Sequence, residues 1–274
     1  GRGRNGVNDP ASSYFFGAPF ASGTTLYDNF DNFLKTGMTQ KHNLAIEGGS
    51  DVNTFRFSSG YTKQEGVIPT SKFERLSFRL SGSSKITNKL NVSATTSYTN
   101  SKTDKVSKGT GSYFLTLLTW PKDDDVRQYL NSDGSRRIAR GGTILSETDN
   151  PFWDVNKNLG NDKTNRFTLN TTISYDVLKW LNLTGNMGAD IYSTQGLYSV
   201  NPQSRYGGAT NGFLSQYTQN TVNLSGNVRG AIKKDFGKFS NNLILGFNFD
   251  DNKTRIESQR GEQFIEPDFL SINN

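Results

Sequence analysis

From residue 43 to residue 100 the chain alternates apolar and polar positions. Phe55, Phe57, Ser59 and Tyr61 interleave with Arg56, Ser58, Gly60 and Thr62. Leu76, Phe78 and Leu80 interleave with Arg75, Ser77, Arg79 and Ser81, and Leu90, Val92, Ala94, Thr96 and Tyr98 with a run of Asn, Ser and Thr. A period of two predicts long strands with one apolar and one polar face. The connections are uneven: tight at 48–53, longer at 65–72, tight again at 87–89. Two-faced strands with short turns at one end and longer loops at the other describe the wall of a transmembrane β-barrel.

The same reading extends along the chain. A first strand is expected over 40–49, with Leu44 and Ile46 on its apolar side. Residues 104–165 break the pattern with glycines, Pro121, Pro151 and the run Asp123-Asp124-Asp125, and read as a functional loop. A short helix is expected over 126–130, and one helical turn over 27–34. Alternation resumes at Phe167, Leu169, Thr171, Ile173 and Tyr175, then at Leu183, Met187 and Ile191, then at Val222, Leu224 and Val228, and ends with Leu243, Leu245, Phe247 and Phe249. Tight turns at 176–180 and 234–238 alternate with a loop at 194–214. The prediction is eight strands in four hairpins. Residues 1–38 form an extracellular loop, 39–254 a partial barrel wall containing extracellular loops 104–165 and 195–215, and 255–274 the start of another loop.

A soluble β-sandwich also alternates. Its strands run to about 5–6 residues, whereas a tilted spanning strand needs about 9–11. Charge placement separates the two further. Arg56, Arg75, Arg79, Asp190 and Arg229 all fall on the polar parity, expected to face a lumen. The apolar parity, carrying Phe55, Phe57, Leu76, Phe78, Leu80, Leu183, Leu224, Leu245 and Phe247, has no charge in the middle of any predicted strand. An Arg or Lys facing lipid at mid-membrane costs about 2–4 kcal/mol, so that parity is expected to face lipid. A soluble sandwich would instead cluster Phe57, Leu80, Leu183 and Leu245 in a dry centre.

Composition fits. Only 32% of the 274 residues are hydrophobic, as expected where one face per strand is wet, and 12% are aromatic, which suits strands and interfacial girdles. No apolar run is long enough for a spanning helix. Cysteine is absent, which removes disulfides and thiolate chemistry. The net charge of +6 is scattered, so no nucleic-acid footprint is expected. No signal peptide is visible, and both ends read as cuts through loops, so the chain is expected to be a piece of something larger.

Several stretches then resemble a known family. They are Asn32-Phe33-Leu34-Lys35-Thr36-Gly37, Gln40-Lys41-His42-Asn43-Leu44, the pair Gly48-Gly49, and Phe57-Ser58-Ser59-Gly60-Tyr61-Thr62-Lys63-Gln64-Glu65-Gly66-Val67-Ile68-Pro69. Asn150-Pro151-Phe152-Trp153 and Leu178-Lys179-Trp180-Leu181-Asn182 add to them. Together they resemble the SusC/RagA family of TonB-dependent outer-membrane transporters over most of residues 30–250. The resemblance implies a wall segment of a larger plugged barrel in a Gram-negative, Bacteroidetes-like outer membrane. It also implies import of oligosaccharide or oligopeptide with a SusD-like surface lipoprotein, energised by TonB through a plug. Neither a plug nor a TonB box is found in this sequence. The alternatives are a passive porin or adhesin-type barrel, and a soluble glycan-binding β-protein.

Little points to chemistry. Gly1-Arg2-Gly3-Arg4-Asn5-Gly6 spells a dinucleotide fingerprint but lacks the strand before and helix after that the motif needs. His42 is the only histidine, which excludes multi-histidine zinc sites. The acidic run lacks the spacing of a calcium loop and reads as solvated. No catalytic, cofactor or metal residues are expected. Arg136, Arg137 and Arg140 are candidates for an anionic partner or lipopolysaccharide, or else a solvated loop. Trp120 and Trp153 either stack on substrate or partner, or fold the loop onto itself. Trp180 reads as a girdle residue at the periplasmic interface. The polar-parity arginines are expected to pair with acids of a plug.

Overall fold

The computed structural model describes residues 20–109, 112–139, 141–266 and 269–272. The glycine-rich start at 1–6 and Arg140 lie outside them. The fold is one antiparallel sheet of eight strands in sequence order: β1 (Met38–Gly49), β2 (Asn53–Glu65), β3 (Lys72–Lys85), β4 (Leu90–Lys105), β5 (Leu159–Leu178), β6 (Leu181–Val200), β7 (Phe213–Phe236) and β8 (Phe239–Glu262). The sheet is not closed; β1 and β8 are its edges. Among the described residues three short helices lie outside the sheet: α1 (Asn29–Phe33) before β1, and α2 (Tyr113–Thr119) and α3 (Pro151–Lys157) between β4 and β5.

Register aligns the two parities across the sheet. Phe57 pairs with Leu80, Leu80 with Thr96, Thr96 with Leu169, Leu169 with Ala189 and Ala189 with Leu224. One face therefore collects the apolar positions of every strand. Phe57, Leu80, Leu183 and Leu245 remain 37%, 49%, 41% and 63% exposed, so no dry core forms between sheets. Glycine lets aromatic rings lie down on this face. A Cβ at Gly226 would collide with the Phe249 ring, and one at Gly48 would press on Phe55. On the other face short polar side chains bond across strands: Thr54 to Ser83 at 2.7 Å, Ser97 to Thr168 at 2.6 Å, Thr172 to Asn186 at 2.7 Å and Asn186 to Asn227 at 2.8 Å.

Four tight turns close the hairpins at one end. Thr87 Oγ1 accepts from the Lys89 and Leu90 amides in the second, and Gly237 takes φ of 59° in the fourth.

The strands outrun the alternation that predicted them. β5 begins at Leu159 rather than Arg166, β6 continues to Val200, β7 starts at Phe213 and β8 runs to Glu262. The loops expected at 104–165, 195–215 and beyond 255 are correspondingly shorter. Backbone pairing continues there while both faces turn polar, so the period of two fades. One consequence corrects the charge argument: the apolar parity of β8 carries Asp251, Lys253, Arg255 and Glu257 beyond Phe249. The charge-free band ends at Phe249, short of the strand's end.

The helix expected over 126–130 is a turn. The Asp125 carboxylate accepts from the Arg127 amide at 3.0 Å, the Val126 amide donates to Asn29 Oδ1 at 3.0 Å and the Val126 carbonyl accepts from Asn150 Nδ2 at 2.8 Å. Side chains have taken the backbone groups a helix would use.

Candidate functional site

The long connections pack into a compact roof at the end of the sheet opposite the tight turns. Phe33 of α1, Leu117 of α2, Val155 of α3, Trp120 and Val126 form its apolar centre. Asn150 opens α3 by accepting from the Phe152 amide at 2.7 Å, with Pro151 in the first turn where its missing N–H costs nothing. That start seats Trp153, whose Nε1 donates to Ser204 Oγ at 2.8 Å in the 201–212 connection. Ser204 donates on to Asn158 Oδ1 at 2.7 Å, and Asn158 Nδ2 donates to Asp154 Oδ1 at 2.8 Å. Thr70 Oγ1 donates to the Val155 carbonyl at 2.8 Å and brings in the 66–71 connection.

Of the two readings of Trp120 and Trp153, this packing favours the one in which the loop folds onto itself, and it places Arg136 and Arg137 in ion pairs within the loop. Trp153 is 1% and Trp120 5% exposed; both build the roof. Arg136 is buried, with Nη1 2.9 Å from Asp149 Oδ1 and further bonds to the carbonyls of Ile144, Gln203 and Glu147. Arg137 clamps Asp124 at 2.6 Å and Arg127 holds Asp125 at 2.8 Å, so two of the acids expected to be solvated are internal counter-charges. Among the described residues no cluster suits a metal ion. Burial pushes Asp149 up to about 6 against the pull of Arg136 and the Arg205 amide. Burial also raises Asp154, and it lowers Arg136 despite its two acidic neighbours.

The polar-face charges divide. Arg56 pairs with Glu47 of the neighbouring strand. Asp190 receives Arg166 in a two-pronged contact at 2.7 and 2.8 Å. Arg75, Arg79 and Arg229 have no ion-pair partner among the described residues. Trp180 sits half-exposed at the β5–β6 turn with Lys234 Nζ 5.8 Å from its ring centre, and His42 stacks on Tyr61 on the apolar face.

Between roof and sheet lies a cleft of about 1090 Å³ that the sequence reading did not single out. Its floor is the polar face of the strand extensions: Lys105, Asp162, Tyr198, Tyr217 and Arg260. Asp162 accepts from the Tyr217 hydroxyl at 3.0 Å and pairs with Lys105. Tyr198 lies 5.8 Å from Phe213, and the Arg260 guanidinium 4.0 Å over the Phe213 ring. These residues fall where the alternation fades. The signal that remained was aromatic residues beside glycines, Tyr198 near Gly196 and Tyr217 on the next strand.

No protein-family model matches the chain. Among curated proteins it is similar to TonB-dependent receptor P3 of Formosa agariphila, 25% identical over 236 residues, covering 84% of this chain and 23% of that protein. It is equally similar to TonB-dependent receptor SusC of Bacteroides thetaiotaomicron, 25% identical over 247 residues, covering 83% and 24%. The chain thus spans about a quarter of the length of the curated relatives it matches. Among solved structures, the RagAB peptide transporter aligns at a TM-score of 0.73 and 21% identity over 90% of this chain and 28% of that one. The RagAB peptide importer aligns at 0.71 and 20% in its closed-closed state, over 89% and 28%. The curated relatives are named as receptors and the structural neighbours as a peptide transporter or importer. The chain is thus similar in sequence to SusC-type TonB-dependent receptors, and its antiparallel sheet takes the fold of part of the RagAB structures.

Proposed function

We propose that this segment is part of the lumen wall of an outer-membrane importer. The whole protein takes up oligosaccharide or oligopeptide, captures it with a SusD-like surface lipoprotein, and is driven by TonB through a plug. The apolar face, Phe55 to Phe247, meets lipid; the face with Arg56, Arg75, Arg79, Asp190 and Arg229 meets the lumen. The tight turns face the periplasm and the roof faces outside.

The observation that carries this reading is the slope of the apolar band across the register. The row through Tyr61, the last band residue on β2, reaches β8 at Arg255, six residues past Phe249 (255 − 249 = 6). At the lower edge, the row through Phe55 reaches Phe249, ten residues past Phe239 (249 − 239 = 10). With about 3.3 Å per residue and about 4.8 Å per strand, six strand steps make these slopes roughly 35° and 49°. A level membrane crossing strands tilted by about 35–45° draws that diagonal. A soluble sheet has no reason to tilt its apolar band against its own hydrogen bonds.

Uptake by cells carrying the full-length gene tests the proposal. An importer moves labelled oligosaccharide or oligopeptide only while the inner membrane is energised and the lipoprotein partner is present. Uptake that survives both depletions identifies a passive porin. A protein that stays monodisperse without detergent is the soluble alternative.

A further inference from the structure

Charge is balanced differently at the two ends of the sheet. At the roof end of the apolar parity, acids and bases interleave. Lys63 pairs with Glu65 and Lys102 with Asp104 at 3.6 Å, Lys253 with Asp251 at 2.9 Å and Arg255 with Glu257 at 2.6 Å, each two residues along its own strand. At the tight-turn end six exposed lysines, Lys85, Lys89, Lys179, Lys233, Lys234 and Lys238, have no ion-pair partner among the described residues. The backbone sets their turns side by side. The Asp176 amide donates to the Lys89 carbonyl at 2.8 Å, and the Lys233 amide to the Trp180 carbonyl at 2.9 Å.

The acids described at this end lie elsewhere. Glu47 is held by Arg56, Asp176 accepts from Asn182 Nδ2 at 2.8 Å, and both fall on the polar parity, as does Asp235 beside Lys233. Asp51, in the first turn, neighbours Lys85, whose amide donates to the Val52 carbonyl at 2.8 Å. Lys234 is on the apolar parity. Its ammonium lies 5.8 Å from the Trp180 ring centre and 5.2 Å from that of Phe236, so cation and rings share one level at the edge of the apolar band. Lys89, Lys179 and Lys238 occupy the turns themselves. Acids therefore gather on the polar side, and the unmatched positive charge lies at the rim of the apolar side, where rings and lysine stems sit among lipid headgroups.

We propose that Lys89, Lys179, Lys234 and Lys238 form a seat for anionic phospholipid headgroups, whose phosphodiester oxygens accept from the ammonium groups. Lysine suits this partner, because a point charge on a flexible stem meets a mobile phosphate without a fixed geometry. The inference rests on the importer reading for the leaflet, which the orientation of the turns makes the periplasmic one, and it adds a lipid partner.

The test places the intact full-length transporter in vesicles of phosphatidylethanolamine and phosphatidylglycerol in equal parts and counts the lipids it retains by native mass spectrometry. Wild-type protein is expected to retain phosphatidylglycerol in preference. Lys234→Gln is expected to lower that preference by about two- to fivefold, and glutamine at all four positions to abolish it. Arginine at the same four positions keeps the charge and is expected to keep the preference. Lys102→Gln with Lys253→Gln, at the roof end and far beyond the reach of screened charge, is expected to leave it within about twofold. Heat-modifiable mobility verifies that each variant folds. A preference unchanged in the quadruple glutamine variant, or lost equally in the roof-end pair, overturns the seat. Lipopolysaccharide also carries phosphate but belongs to the opposite leaflet. If protein purified from cells sheds lipopolysaccharide rather than phosphatidylglycerol on the quadruple substitution, the phospholipid assignment is overturned. The two readings fail separately. A lysine-dependent lipid preference with uptake indifferent to energisation sinks the importer and leaves the seat. Energised uptake with a preference indifferent to the four lysines does the reverse.

Discussion

Arg136 and Asp149 meet 2.9 Å apart with side-chain exposures of 1% and 4%, an ion pair sealed inside the loop roof. Removing one partner from a buried pair leaves an uncompensated charge and costs about 3–5 kcal/mol. Arg136→Ala is therefore expected to loosen the roof while leaving the sheet intact. Hydrogen exchange of the full-length protein checks this: amides of residues 129–147 and 201–207 lose protection while those of β2–β4 keep theirs. Uniform loss over both regions would contradict the separation.

The Asp149 carboxyl, raised by burial to about 6 from an ordinary 3.8, gives the roof a pH dependence of defined sign. A carboxyl with a raised pKa holds its proton more tightly folded than unfolded. Stability therefore falls as pH rises between about 4 and 6 and is level above that window. Roof protection, corrected for intrinsic exchange, is expected to increase on going from pH 7 to pH 5. Protection that decreases over that range would rule out this role for Asp149.

The two faces of the sheet predict opposite tolerance to charge. Leu80→Arg places a cation on the side proposed to face lipid and is expected to cost about 2–4 kcal/mol in a bilayer, whereas Thr95→Arg, on the side proposed to face the lumen, is expected to cost much less. Urea titration of the intact transporter folded in lipid vesicles measures both. Equal penalties would overturn the assignment of faces.

Gly226 and Phe249, register partners on the apolar face, form a glycine–aromatic pair in which a Cβ at 226 collides with the ring. Gly226→Val is expected to destabilise by about 1–3 kcal/mol through overpacking. Adding Phe249→Ala should recover part of that loss, because it vacates the disputed space. A double mutant no more stable than Gly226→Val would show that the ring is not the obstacle.

The strands and their pairing were legible in the amino-acid order because the period of two is a local property, written within each strand wherever one side meets a different medium from the other. Phe57, Leu80, Leu183 and Leu245 declare their shared face without knowledge of the fold. Where both faces carry mostly polar residues, at 159–165, 215–220 and 255–262, that contrast vanishes, and only the backbone ladder reveals that the strands continue. The roof was illegible for another reason. Trp153 finds Ser204 across 51 residues and Tyr217 finds Asp162 across 55, and no spacing rule within a segment encodes such meetings. The order of residues alone determined an all-β wall with two unlike faces. Tertiary structure decided that Trp120, Trp153 and Arg136 turn inward and that a tyrosine lies down over a glycine, because burial and ring placement depend on groups that only folding brings together.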